Sequence, residues 1–254
     1  MQYSPCIDAI FFEADEVNLE KRIEYVKQAG YKIYEFWSWW DKDIKEIKKL
    51  NDELGLSIST MCTKFISLTD ETKRDEYIAG LKESIEAAKY LGVKSLISQT
   101  GDDLGIDRQV QKQSLIDGLS ACAPILEEAG ITLLVEPLNL LVDHQGYFLS
   151  TSDETLEIMY DVNHPNIKVL FDVYHQQITE GNLCRNIEKL SPFIAHFHFA
   201  DNPGRLELGT GEINYHNVIK TIKNIGYDGA LGLEFFPTSS RVVKMAGVQT
   251  DYPL

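Results

Sequence analysis

The stretch ILEEAGITLLVEP, residues 125–137, runs from the last turn of an amphipathic segment through a glycine into a short apolar run that ends on an acid. Gly130 stands where a helix terminus favours a left-handed residue, and ITLLVEP has the length and β-branched character of a strand. The phrase repeats in both directions. IKKLNDELG closes on Gly55, AAKYLG on Gly92 and IKNIG on Gly226, each followed within a few residues by another apolar run. Eight such runs can be counted: CIDAIFF (6–12), YKIYEFW (31–37), LSISTMC (56–62), VKSLISQ (93–99), ITLLVEP (131–137), IKVLFDV (167–173), IAHFHFA (194–200) and ALGLEFF (230–236). They begin about every 32 residues, the length of one strand, one helix and two loops. In the first intervening segment Leu19, Ile23, Val26 and Ala29 repeat at helical intervals, with Asn18 placed to cap the start and Gly30 to end it. Ser152, Asp153 and Glu154 similarly open a helix that carries Leu156, Ile158 and Met159.

Alternating strands and helices predict a parallel sheet. No linker or low-complexity stretch interrupts the eight units, so residues 1–254 read as one α/β domain, a (β/α)8 TIM barrel. A doubly wound open sheet is the alternative arrangement of such units. The chain length of 254 residues agrees with the barrel, whose usual size is about 250. The last segment, TSSRVVKMAGVQTDYPL, is poor in helical period and reads as a short helix with an irregular tail.

Charge narrows the partners. Lys and Arg total 24 against 39 Asp and Glu, and the formal charge of −15 repels phosphate backbones and anionic lipid, so neither nucleic acid nor membrane is an expected partner. No run reaches the roughly 18 apolar residues of a membrane span. The start, MQYSPCIDAIFFEADEV, lacks a basic region and meets Glu13 and Asp15 where a signal peptide needs its cleavage site. Cys6, Cys62, Cys122 and Cys184 lie far apart with no CxxC pair, which argues against a zinc knuckle or disulfide scaffold and for a reducing, cytoplasmic setting.

A barrel concentrates its chemistry at the C-terminal ends of its strands. Four consecutive runs finish there with a metal-capable side chain: LLVE at Glu136, VLFD at Asp172, HFH at His198 and LGLE at Glu234. Any one alone reads equally well as a strand end facing solvent. Together, at nearly the same depth, they would crowd one half of the barrel mouth. Three carboxylates that close repel one another, and a divalent cation among them favours their charged forms. Three oxygen donors and one nitrogen donor make a hard site suited to Mn²⁺ or Mg²⁺, with Co²⁺ or Zn²⁺ as lesser fits, and two positions of an octahedron would stay open.

All six histidines fall beyond residue 143. His196 shares a strand face with His198 and is placed behind it, while His164 and His216 read as surface residues. His175, in the loop expected after IKVLFD, would reach over the site to a substrate oxygen. Arg205, the cation of the Gly-rich stretch ADNPGRLELGTGEINY, could fork to a substrate carboxylate or form a surface ion pair. That stretch lacks the GKS/GKT ending of a phosphate loop. Trp37, Trp39 and Trp40 cluster where the second run ends and could wall the pocket, although core packing explains Trp37 and its neighbour Phe36 equally well. Glu35 could face in or out, and Cys62 and Gln99 could line the site or pack.

At these residues the sequence resembles the sugar isomerase and epimerase superfamily of xylose-isomerase-like TIM barrels, over nearly the whole chain. The resemblance is carried by Glu136-Pro-Leu-Asn139, Asp172-x-x-His175, His196-x-His198, Asp201-Asn-Pro-Gly-Arg205, Gly209-Thr-Gly-Glu212-Ile-Asn-Tyr215 and Glu234. DNPGR with GTGEINY is most similar to hydroxypyruvate isomerases. The resemblance implies that Glu136, Asp172, His198 and Glu234 hold one divalent ion, that His175 and Arg205 contact substrate, and that Glu136 and Glu234 exchange protons with it. It also implies a homo-oligomer, a dimer or tetramer. Three departures stand out. Hydroxypyruvate isomerases often carry Gln where this chain has His198, whereas epimerases favour His. Leu206 and Leu208 replace the His and Pro usual in that subfamily. Val142 stands where the epimerase pattern places an acid, and Asp143 is the nearest substitute.

The expected activity is isomerisation of a small α-hydroxy ketone and aldehyde, hydroxypyruvate to tartronate semialdehyde or similar, through an enediolate, with a carboxylate as general base. A ketose 3-epimerase and a non-catalytic sugar-binding barrel remain as alternatives. Related zinc-dependent endonucleases that act on abasic DNA need more His and acidic ligands and a basic face, and this chain has neither.

Overall fold

Parallel strands cannot be joined by tight turns; each needs a crossover, and a helix is its usual form. The computed structural model describes residues 1–14 and 16–254; Asp15, used above in reading the N-terminus, lies outside the described residues. The elements run β1 (Gln2–Pro5), α1 (Ile7–Ile10), α2 (Leu19–Gln28), β2 (Ile33–Tyr34), α3 (Ile44–Leu54), β3 (Ser57–Ile58), β4 (Met61–Cys62), α4 (Arg74–Leu91), β5 (Ser95–Ser98), α5 (Arg108–Ala129), β6 (Thr132–Val135), α6 (Ser152–Val162), β7 (Ile167–Asp172), α7 (Val173–Thr179), α8 (Leu183–Leu190), β8 (Ile194–Phe199), α9 (Tyr215–Asn224), β9 (Ala230–Leu233) and α10 (Arg241–Asp251). The caps follow the sequence. Asn18 accepts from the Lys21 N–H at the start of α2, and Gly130 ends α5 in the left-handed region at φ 63°.

Seven strands pair in the order β1-β9-β8-β7-β6-β5-β4, and β2 pairs with β3, all parallel. First strand against last closes one seam. The other is closed by a parallel bridge between Cys6 and Glu35, where Glu35 N–H donates to Pro5 O and Ile7 N–H donates to Glu35 O. β3 continues through Ser59 and Thr60 into β4, so the two form one stave and the staves number eight. The fold is the α/β TIM barrel expected.

Two expectations are corrected. The first strand is Gln2–Pro5, not 6–12; CIDAIFF leaves the sheet after the Cys6 bridge and turns into α1. Ile7, Ala9, Ile10 and Phe11 are all buried, and an apolar run that short does not distinguish a buried turn of helix from a strand. The final segment is also more helical than its pattern suggests, because α10 packs Met245 and Val248 against the core.

Alternation along the strands sorts their side chains. Leu133, Val135, Val169, Phe171, Phe197 and Phe199 join the large core beneath the helices, whereas Cys62, Ile97, Leu134 and Leu170 form a separate apolar cluster inside the barrel. Two residues further along the same inward faces come Glu136 and Asp172. The interior cluster is thus the floor on which the polar mouth stands. Leu170→Ala should open a cavity there and cost about 2–5 kcal/mol in urea unfolding with an unchanged m-value. A loss below about 1 kcal/mol would contradict a packed floor.

Candidate active site

Strand register brings the four strand-end residues together. Asp172 on β7 is the direct register partner of His198 on β8, and Glu136 and Glu234 are the first residues beyond β6 and β9. All four are buried, and one donor atom from each lies within 4.8 Å of the others. His198 Nδ1 is at the centre, 3.2 Å from Glu234 Oε2, 3.6 Å from Glu136 Oε1 and 3.9 Å from Asp172 Oδ2.

Like charges at this spacing cannot all be retained unaided. Burial and the neighbouring Glu234 push the Asp172 carboxyl up to about 8. Burial would push Glu234 the same way, but the Arg205 guanidinium and His198 outweigh it and hold that carboxyl well below the usual range. His198 is raised well above an ordinary imidazole, since Glu234 and Glu35 overcome the desolvation that favours its neutral form. Yet both ring nitrogens of His198 lack a hydrogen-bond partner, although carboxylate oxygens stand 3.0 Å from Nε2 and 3.2 Å from Nδ1. A buried imidazole nitrogen aimed between three carboxylates and bonded to none matches the donor set of a hard divalent cation. These residues are positioned to hold a metal ion.

Above them is a cavity of about 220 Å³, lined by Trp37, Phe65, Gln99, His144, His175 and Arg205 together with Cys62, Ile97, Leu138 and three of the four donors. Trp37 Nε1–H donates to Glu234 Oε1 at 2.5 Å, and Arg205 Nη2 donates to Oε2 at 2.5 Å, so both oxygens of Glu234 are held. The guanidinium lies near the rings of Tyr174 and Phe236, 5.6 Å from each. Arg205 therefore belongs to the site and is no surface ion pair.

His175 sits over the site as expected, but on the first turn of α7 rather than in a loop. Asp172 Oδ1 accepts the His175 backbone N–H at 3.0 Å and so starts a helix at the strand end. The ring is held from behind. Asn139 Nδ2 lies 2.6 Å from His175 Nδ1, and the amide cannot be turned over, since its Oδ1 already accepts from the Val142 and Asp143 N–H groups. Nδ1 is then the acceptor and the proton rides on Nε2, which has no partner within the protein. Burial and the Arg205 charge hold this imidazole well below the ordinary histidine range.

Other expectations fare differently. Of the three tryptophans only Trp37 lines the cavity; Trp39 donates to Ser84 Oγ and Trp40 is an exposed neighbour of Phe65. Asp143 accepts from Asn139 Nδ2 and is not among the cavity residues. Glu207 is buried against Thr238 and Lys244, and Glu212 is exposed. His164 and His216 lie away from the cavity. Cys62 does both things asked of it, lining the cavity and packing in the floor. Glu35, whose direction the sequence left open, faces inward beside His196 and His198. Asn139 and His144, to which no role was assigned, turn out to support and flank His175.

A family model described as xylose isomerase-like TIM barrel matches residues 23–249. A putative hydroxypyruvate isomerase of Xenopus laevis is 35% identical over 176 residues, 67% of this chain and 64% of that protein, so this match takes in slightly under two thirds of the relative's length. The hydroxypyruvate isomerase of Escherichia coli (strain K12) is 29% identical over 249 residues, 94% of this chain and 95% of that one. Among solved structures, one titled AP endonuclease, family 2, from Brucella melitensis superposes with a TM-score of 0.92 at 27% identity, covering 99% of this chain and 98% of that chain.

If the four donors hold a divalent cation, the metal will bind the folded chain in preference to the unfolded one. Mn²⁺ at about 100 times its Kd should then add roughly 2.7 kcal/mol, equivalent to a Tm rise of about 5–10 °C that EDTA reverses. A melting curve indifferent to Mn²⁺, Mg²⁺, Co²⁺ and Zn²⁺ would contradict the assignment.

Proposed function

The chain belongs to the xylose isomerase-like TIM barrel family, and from that premise we propose that it is a divalent-metal-dependent isomerase. Its reaction interconverts a small α-hydroxy ketone and aldehyde, hydroxypyruvate and tartronate semialdehyde or a similar short acid, through an enediolate. The observation that carries this reading is the convergence of Glu136, Asp172, His198 and Glu234 beneath a small cavity that also presents a neutral histidine and a buried arginine. The relatives named hydroxypyruvate isomerase support the substrate class.

Glu136, Asp172, His198 and Glu234 would hold the ion. When bound, it supplies Lewis-acid stabilisation of the negative charge that develops on adjacent substrate oxygens. The protein's own groups do the rest. Glu136 and Glu234 follow directly on β6 and β9, three staves apart, and so face a bound substrate from different sides. A carboxylate beside the reacting carbon takes its proton and returns one to the neighbouring carbon, which is aldose–ketose isomerisation. Trp37 and Arg205 keep Glu234 ionised and fixed in one orientation. His175 offers its Nε2–H to a substrate oxygen, and the Arg205 charge suits a substrate carboxylate at the cavity wall. A cavity of about 220 Å³ suits short substrates, being below the roughly 300–1,000 Å³ of drug-sized pockets. Trp37, Phe65 and Leu138 give it apolar walls that help shed water from the reacting carbons.

Epimerisation at one carbon uses the same two carboxylates on opposite faces, and His198 is the residue that favours it, through the resemblance noted above. A DNA substrate is opposed by the charge of −15.

Deuterium wash-in from D2O separates these readings. With Mn²⁺ or Mg²⁺ added, the proposal predicts exchange into hydroxypyruvate; exchange confined to C3 of ketoses would make the protein an epimerase, and exchange nowhere a binding barrel. Glu234→Gln should lower the exchange rate by about 10²–10⁴-fold or more. Full activity in that variant would remove Glu234 from the chemistry.

A further inference from the structure

Behind His198, on the side away from the three carboxylates, lies a fourth buried acid. Glu35 is 1% exposed and is set in the barrel by its backbone bonds to Pro5 and Ile7 at the closing seam. Its Oε2 lies 3.1 Å from His196 Nε2 and accepts from Ser59 Oγ at 2.9 Å. Its Oε1 lies 3.0 Å from His198 Nε2, and these two buried atoms, facing each other, have no hydrogen-bond partner elsewhere or between them. A second, independent feature shows that this approach is accommodated by the fold. Gly232 on β9 is the register partner of His198, and a Cβ there would fall 2.3 Å from Glu35 Oε1 and 2.5 Å from His198 Cδ2. Glycine within a strand weakens it and marks a place where something must come close. Here the carboxylate and the imidazole share the space a side chain would fill.

We propose that Glu35 is the positioning residue for His198, holding the ring proton on Nε2 and thereby aiming the Nδ1 lone pair at Glu136, Asp172 and Glu234. The inference rests on the metal reading above. A neutral imidazole carries one N–H, so a ring that gives its Nδ1 lone pair to a cation must carry the proton on Nε2, and the acceptor beside that nitrogen is Glu35 Oε1. A carboxylate in this place fixes the tautomer and ring orientation and makes the imidazole a stronger donor. Glu35, His196 and His198 could by spacing alone hold a second cation. The direct contacts of His196 and Ser59 to Oε2 instead make the group a hydrogen-bonded prop.

Mn²⁺ titration calorimetry of the full chain and of Glu35→Gln tests this, because glutamine keeps the shape and removes the charge. The expected result is one equivalent bound by each protein, with Kd raised about 10- to 100-fold in the variant. An unchanged Kd, or two equivalents of which Glu35→Gln loses one, overturns the inference. A readout that needs no variant is ¹⁵N NMR of the histidine-labelled wild type loaded with Mg²⁺. His198 should show a downfield, slowly exchanging proton on Nε2 and none on Nδ1; the reverse pattern, or an Nε2 proton that exchanges freely, overturns the inference even if Glu35→Gln fails to fold. Wild-type protein that binds no metal at all would sink the metal reading and this inference with it, whereas normal wild-type binding with an indifferent variant sinks this inference alone.

Discussion

Three carboxyl groups and one imidazole are confined within 4.8 Å of one another and screened from water, and that confinement sets the terms for the whole barrel mouth. Buried charge is unfavourable unless it is paired or bound to a metal. The protein answers in part: Arg205 and Trp37 each hold one oxygen of Glu234, Asp172 gives one oxygen to the start of α7, and burial beside Glu234 pushes the Asp172 carboxyl upward. His198 Nδ1 remains unbonded at the centre. A cation there would displace protons from the donors and replace several imperfect compensations with one.

The scaffold makes such confinement feasible. In a parallel barrel each strand presents alternate residues inward, so a polar side chain two positions beyond an interior leucine arrives over the apolar floor without any loop having to place it. Glu136 follows Leu134 and Asp172 follows Leu170 in this way. Rigid strand ends fix the donors, while α7 and the following loops supply further groups that line the cavity, among them His175 and Arg205. Register does further work at Gly232, where the missing side chain lets Glu35 approach His198.

Much of this is legible in the sequence because strand ends carry their own signal. A run such as VLFD changes from apolar to acidic at one residue, and three changes of that kind, with HFH ending on His198, in four consecutive strands identify both the barrel and its mouth. The first strand was misplaced because CIDAIFF is a short run in which Asp8 alone interrupts the apolar residues and Ile7, Ala9, Ile10 and Phe11 are all buried, so periodicity could not tell a helical turn from a strand. Glu35 stayed ambiguous for a related reason. In YKIYEFW both faces carry aromatic or aliphatic groups, as barrel strands do, and only the partners across the barrel reveal which face the acid is on. Asn139 and Trp37 were legible as neighbours of the site but not as its supports, since each acts on a residue far away in sequence, Asn139 on His175 and Trp37 on Glu234. Trp39 and Trp40 look the same as Trp37 in the sequence, and only their position after the strand end takes them out of the cavity.

The central claim is that the cluster is a cation site on the Nδ1 side of His198, and an anomalous difference map from Mn²⁺-soaked crystals tests it most directly. The account predicts one strong peak among Glu136, Asp172, His198 Nδ1 and Glu234. A map without that peak, or with density on the Nε2 side between Glu35 and His196, would contradict it.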